Sequence, residues 1–327
     1  MAQNDLSAAE QWYRRGVVLE QQLVQQAGDS EDRKNLVLMY YNLGVVARIQ
    51  KDWPAAQDWF TRALEPSQAL AQESGTVQDL QTLADICANL GSVSYAQRNW
   101  AEAYSWYSQL LPLANTAAQQ TGEAQAYRRL GNCYEKLGEL SRLQGNLTAA
   151  RDWLGRAHTM WVSLFQQAGT PEDCRGLVTC CRQLALLGQL TGSPAEAWNW
   201  YRQALSLLEP LARESRSVQD AQDLSDVCHQ LALLAQAGGS PNEARGWLEQ
   251  EMSLRKTLAR TLGTVEAFLE LCDCYELLGN LAQTRGDQAD WYQRAYQVLD
   301  ALSQSVNSPQ IASALARIRQ KLAQLLS

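Results

Sequence analysis

Apolar residues recur along the chain at helical spacing. Between Asp29 and Gln72 one series runs through Leu36, Met39, Tyr40, Leu43 and Val46, and a second through Ala56, Trp59, Phe60, Ala63 and Leu64. The polar pair Lys51-Asp52 separates them, so the segment reads as two helices joined by a turn. The pattern then returns at a fixed interval. Trp12, Trp59, Trp106, Trp153, Trp200 and Trp247 stand 47 residues apart, and Trp291 follows after 44. Ala9, Ala56, Ala103, Ala150, Ala197 and Ala244 repeat the period three residues upstream. With only 11 tryptophans in 327 residues, chance does not produce such a series, and it marks a tandem array.

The turns are as regular as the helices. Asp52, Asn99, Asn146, Ser193, Ser240 and Asp287 fall at one repeat position, and each type accepts a hydrogen bond from a helix's first-turn N–H groups. Pro194 with Glu196, and Pro241 with Glu243, add a proline at the first helical position and a capping-box carboxylate. The residue before the cap is Gly145, Gly192, Gly239 or Gly286 in the last four units, where a left-handed turn is cheapest without a Cβ. Lys51 and Arg98 take that place at a strain cost. At the other junction Gly28, Gly75, Gly122, Gly169 and Gly263 stand just past a helix end; Asn307 follows the shortened unit and Arg216 is the departure. Asp29, Thr76, Thr170, Ser217, Thr264 and Ser308 come next as caps, with Glu123 the weak one.

The order Leu43-Gly44, Ala56, Phe60, Ala63 resembles the tetratricopeptide repeat, whose first helix carries Leu-Gly and whose second carries small and aromatic residues at these offsets. Leu90-Gly91 with Ala103 and Tyr107, Leu137-Gly138 with Ala150, Leu154 and Ala157, and Leu184-Ala185 with Ala197, Tyr201 and Ala204 keep the order. So do Leu231-Ala232 with Ala244 and Leu248, and Leu278-Gly279 with Tyr292 and Ala295. The repeat is 47 residues long where the family's is about 34, and the proline that usually closes the repeat is missing. The resemblance implies an all-α fold, an α-solenoid with a right-handed superhelix of antiparallel helix hairpins. It predicts one solenoid over residues 1–327: a half-repeat helix at 5–26, units of about 29–75, 76–122, 123–169, 170–216, 217–263 and 264–307, and a capping helix at 308–327. The lone second-type helix at the start reads as a repeat cut in half, either in a fragment of a longer polypeptide or as an unusual helix that caps the stack. Each hairpin buries its apolar face only against its neighbours.

Composition narrows the function. A net charge of −7 disfavours the Lys/Arg stripe that a nucleic-acid surface needs. No run of 18 apolar residues occurs, so no helix is expected to span a membrane. The polar N-terminus lacks a secretion signal, and a cytoplasmic location is expected. Six of the eight cysteines share two adjacent first-helix core positions: Cys87, Cys181 and Cys228 at one, Cys133, Cys180 and Cys274 at the next. They read as small core residues, and Cys272-x-Cys274 on a helix points its thiols too far apart to share one metal. Asn146-Leu147-Thr148 matches a glycosylation sequon but stands at a helix cap. The tryptophan ladder is expected to pack between successive second helices. No phosphate loop, nucleophile elbow or HExxH helix occurs, and His158 and His229 lie far apart in sequence. No cofactor, no metal and no enzymatic activity are expected.

In the resembled family, partners lie along the inner face of the first helices, at −6, −3, +1 and +4 from the Gly of Leu-Gly. Carried over by register, these positions include Tyr41, Arg48, Asp85, Tyr95, Asn132, Glu135, Arg142, Arg182, Asp226 and His229. The family's Lys/Asn carboxylate clamp is absent. Arg48, Arg142 and Arg182 with Tyr41 and Tyr95 suit an acidic or C-terminal peptide, whereas Asp226, Asp273 and Glu276 prefer basic groups. The expected function is a non-catalytic scaffold for a protein or peptide segment. The alternatives are a peptide-sensing regulatory module and the substrate-recruiting part of a larger multidomain protein.

Overall fold

The computed structural model describes residues 2–26 and 29–326, with side chains described from 6 to 26 and from 29 to 325. Fourteen helices account for nearly all of them: α1 (Ala2–Gln26), α2 (Ser30–Ile49), α3 (Trp53–Ser74), α4 (Val77–Ala96), α5 (Trp100–Thr121), α6 (Ala124–Leu143) and α7 (Leu147–Ala168). Then follow α8 (Pro171–Leu190), α9 (Pro194–Ser215), α10 (Val218–Ala237), α11 (Pro241–Leu262), α12 (Val265–Asn280), α13 (Arg285–Ser305) and α14 (Pro309–Leu326). Among the described residues there is no strand, and none of these helices is long and apolar enough to cross a membrane. The chain forms two compact units, residues 1–183 and 184–327, divided within α8. Inside each, every helix packs on the next in sequence, which with such short turns makes antiparallel hairpins. The fold is an α-solenoid of stacked hairpins.

Local chemistry explains the boundaries. Asp52, Asn99 and Asn146 accept first-turn N–H bonds through their side chains. Ser193 and Ser240 occupy the same position but make no side-chain cap bond. With ψ near 70° the backbone holds Oγ short of the target that the longer Asp and Asn side chains reach. Lys51, Arg98 and Arg216 adopt left-handed φ of 61°, 61° and 52°, the strain expected of a Cβ-bearing residue there. Glu123 makes no side-chain cap bond. Gly28 lies outside the described residues.

Three expectations for the last hairpin are corrected. Its second helix is capped by Thr284, whose Oγ1 accepts from the Asp287 N–H at 3.0 Å, and not by Asp287. The three missing residues come out of α12, which has 16 residues where α2 has 20, while the turn after it is one residue longer. Thr284 therefore precedes Trp291 by seven residues, as Asp52 precedes Trp59. Gly286 is then helical and not a left-handed turn. Asn307 has no positive φ either: α13 ends at Val306 in an extended conformation, which needs no special residue.

In the first unit the cores join α2 to α3, α4 to α5 and α6 to α7. Ala56, Phe60 and Ala63 of α3 are fully buried, as are Ala103 of α5 and Ala150, Leu154 and Ala157 of α7. Gly44 permits this close approach: a Cβ there would stand 2.6 Å from the Phe60 ring. In the second unit Tyr292 presses as closely on Gly279, at 2.4 Å. All eight cysteines are buried free thiols, as their register predicts. The tryptophans after Trp12 are buried or half-buried. Trp59 stacks on Tyr40 and takes Arg14 of α1 over its face, and Trp247 meets both Trp198 and Arg202 of α9. At Trp59 and Trp247 the ladder thus packs between successive second-type helices, whereas Trp12 is exposed.

Candidate functional site

In the first unit, α2 and α4 present their −6 and −3 positions, and α6 its −6 position Asn132, on one face. What lies beneath that face depends on one column of second-helix residues: Ser67, Ala114, Trp161, Leu208 and Arg255, spaced by the repeat. Where the residue is small, a hollow opens. Between α2 and α4 lies one of about 390 Å³, with Ser67 and Leu70 below and Leu38 and Tyr41 at its mouth. Between α4 and α6 lies a second of about 240 Å³. Its floor is Ala84, Ala88, Tyr107, Leu110, Ala114 and Ala117. Ala117 stands where other units carry Leu70, Leu164, Leu211 and Leu258, and Ala88 where they carry Tyr41, Glu135, Arg182, His229 and Glu276. In the third hairpin Trp161 fills the column completely. Its ring lies over Gly131 of α6 and Gly176 of α8, where a Cβ would come to 3.0 and 2.4 Å.

Asp85 lines both hollows. Burial pushes its carboxyl above the ordinary range, partly offset by Arg129, which is 3.6 Å away and half-exposed. Asn132 stands exposed on the same rim, and Tyr41 receives a long bond of 3.4 Å from Asn89. Further along α4 and α6, Tyr95 donates its hydroxyl to Glu139 at 2.6 Å and packs edge-on against Trp100. Lys136 pairs with Glu139 at 2.8 Å and sits over the Tyr95 ring. Burial opposes ionisation of Glu139, but Lys136 beside it holds the carboxyl below the usual range. Arg142 is half-buried there, with its Nε lacking a hydrogen-bond partner.

The remaining expected residues divide. Arg48 is exposed and Arg182 half-buried. Glu135 is not on the open face: it is buried against α8, with the Cys180 thiol donating to it at 3.3 Å. Burial pushes its carboxyl up to about 7 and the Cys180 thiol well above the thiol range. An open trough of about 980 Å³ along α6 and α7, beside Tyr127, Tyr134 and Arg156, is larger than either hollow. It is broad and mixed in polarity, so volume alone does not make it the better site.

In the second unit the expected residues are tied into internal ion pairs. Asp226 and Glu270 hold the Arg255 guanidinium at 2.6 and 2.5 Å, and the buried Glu251 lies 3.6 Å from its Nε. His229 bonds through Nδ1 to Glu251 at 2.9 Å, which raises its pKa against the opposing effect of burial. Arg317 of α14 bridges Asp273 and Glu276, and Lys321 reaches Glu276 at 2.8 Å. The acidic groups expected to await a basic partner already have one. No three His, Cys, Asp or Glu side chains converge as a metal site among the described residues.

Ala114 and Ala117 are buried at the floor of the hollow and match no motif, so reading the inner face alone passes over them. The usable signal was the column: small residues in one repeat where the others are large. Glu251 was equally visible, standing where Ala63, Ala157 and Ala204 stand elsewhere.

No protein-family model and no curated protein sequence matches the chain. Solved structures do. The crystal structure of BtubC (BKLC) from P. vanneervenii aligns over 77% of this chain and 92% of its own, with 18% identity and a TM-score of 0.59. The S. pombe nuclear import adaptor Nro1 aligns over 88% and 99%, with 13% identity and a TM-score of 0.57. The apo quorum sensor NprR from B. thuringiensis aligns over 98% and 87%, with 14% identity and a TM-score of 0.53. The shared feature is the tetratricopeptide-like helical solenoid.

Proposed function

We propose that the chain is a non-catalytic scaffold of long tetratricopeptide-type repeats that binds a protein or peptide segment on the α2–α4–α6 face of its first unit. The observation that carries this is the pair of adjoining hollows, both lined by Asp85, at positions where the resembled repeats meet their partners. A surface with two apolar-floored depressions and a polar rim suits side chains of an extended segment, which gains affinity from several modest contacts. One of the similar structures is described as an import adaptor and another as a quorum sensor; both descriptions are compatible with such a surface. The reading places no reaction on the chain.

Selection of random peptides displayed on phage against the full chain tests this, with the bound site mapped by backbone amide NMR shifts. Shifts at Leu38, Tyr41, Asp85, Ala88 and Asn132 are expected. Selected peptides that move only residues of the opposite trough, such as Tyr127 and Arg156, overturn the assignment, as does failure to select any peptide.

A further inference from the structure

The hollow between α4 and α6 is a vacancy at a column that Trp161, Leu208 and Arg255 fill in later hairpins. Ala114 and Ala117 replace side chains that in later hairpins are Trp161 and Leu164, or Leu208 and Leu211, all buried. Restoring Leu at 117 would fill space that the repeat's own geometry already accommodates elsewhere. The volume left, about 240 Å³, exceeds the roughly 150 Å³ in which an apolar protein cavity holds a benzene molecule. A phenyl ring therefore fits without displacing helices.

The rim specifies what is attached to that ring. The Asp85 carboxylate has a single ion pair, to Arg129 at 3.6 Å, too long for a hydrogen bond. Neither side chain donates or accepts a hydrogen bond within the described protein, and Asn132 beside them is exposed. A ligand carboxylate here would face Asp85, and a ligand ammonium would face Arg129. A peptide group suits both, because its N–H can donate to Asp85 while its C=O accepts from Arg129 or Asn132.

We propose that this cavity takes one uncharged aromatic side chain from an extended peptide whose backbone amides bridge Asp85 and Arg129. The proposal rests on the peptide-binding reading above and names the chemistry that its partner must carry.

Titration of the full chain with N-acetyl-phenylalaninamide, N-acetyl-alaninamide and toluene, followed by amide NMR shifts, tests it. Saturable shifts at Ala84, Ala88, Ala114 and Ala126 are expected with the phenylalanine compound. The alanine compound, which lacks the ring, and toluene, which lacks the amides, should each bind at least tenfold more weakly. Ala117→Leu should weaken the phenylalanine compound at least tenfold while its circular dichroism stays native and its melting temperature does not fall. Ala114→Leu, which introduces the Leu208 side chain, provides a second block should the first variant not fold. Asp85→Ala should weaken the phenylalanine compound several-fold and leave toluene unchanged. Equal binding by parent and blocked variants overturns the proposal; so does equal binding of toluene, or no shift at the solubility limit. The two readings fail separately. Phage-selected peptides that bind Ala117→Leu as well as the parent remove the pocket and leave the groove. Occupancy of the cavity by the phenylalanine compound without any selectable peptide removes the groove and leaves the pocket.

Discussion

At the column held by Ser67 and Ala114 in the first unit, the second unit carries Leu208 and Arg255. Leu208 closes the space with carbon. Arg255 closes it with charge, drawing Asp226, Glu251, Glu270 and, through Glu251, His229 into one network. The same backbone hairpin thus supports either a hollow open to a ligand or a polar seal. A buried ion network adds little net stability, since desolvation offsets most of the Coulomb gain. At this column its presence in one unit and absence in the other separates an open hollow from surface already occupied by the protein's own side chains.

The most severe break in this contrast is Arg255→Met. It leaves the buried Glu251 without the guanidinium, with His229 at 2.9 Å as its remaining partner, and should lower the stability of the second unit by about 3–5 kcal/mol in urea denaturation. The double variant Glu251→Ala, Arg255→Leu installs the fill of Ala204 and Leu208 and should be neutral or stabilising by up to about 4 kcal/mol. A double variant as unstable as the single one would show that the network itself holds the hairpin.

Trp161→Ala makes the third hairpin resemble the second. Loss of this buried ring should lower stability by about 3–5 kcal/mol in the same experiment. It should also open a new hollow to toluene, detectable as amide shifts at Gly131 and Gly176, where the ring now lies.

A pH titration sharpens the comparison, because each unit buries a group that holds its proton near neutrality. Burial raises the Glu135 carboxyl from its ordinary value to about 7, so the folded chain binds a proton that the unfolded chain has released. Stability contributed this way is complete below about 4.5 and is lost as pH rises to about 7. The Glu251 carboxylate raises His229 above its ordinary 6.5. Its contribution is complete below 6.5 and is lost as pH rises through the folded value. Both slopes have the same sign, at most about 1.4 kcal/mol per pH unit for one proton. Glu135→Gln should flatten the acid side of the decline and His229→Gln the part above 6.5, read from denaturation midpoints across pH 4.5–8. Rising stability over that range would contradict both assignments.

The mildest effect is Ala117→Leu. Filling the hollow with the side chain that other repeats carry should stabilise the first unit by about 0.5–2 kcal/mol, measured by melting. Destabilisation beyond about 1 kcal/mol would mean that the cavity is too narrow for leucine, and so for a ring.

Much of this architecture was legible in the chain because repetition averages out local ambiguity. One cap residue is weak evidence for a helix start, but Asp52, Asn99 and Asn146 at one register position agree with the Trp ladder and the Leu-Gly order. The reading slipped where the repeat itself slipped. Counting 47 placed the last cap at Asp287, whereas the shortened α12 brings Thr284 to it. The site was less legible. Inner-face register places Tyr41, Asp85 and Asn132 beside the two hollows, and it also includes Glu135, which α8 buries, and Asp226 and His229, which α11 occupies. Register says which way a side chain points; it does not say what stands opposite.

The sequence by itself determined the helices, their turns and the packing of small residues against aromatic ones, because those follow from near-neighbour chemistry repeated at a constant interval. Only the tertiary structure decided which inner-face positions remain open. That outcome depends on side-chain volume and charge contributed by separate helices to one point in space, such as Ala88, Ala114 and Ala117 around a hollow, or Glu251 and Arg255 beneath His229.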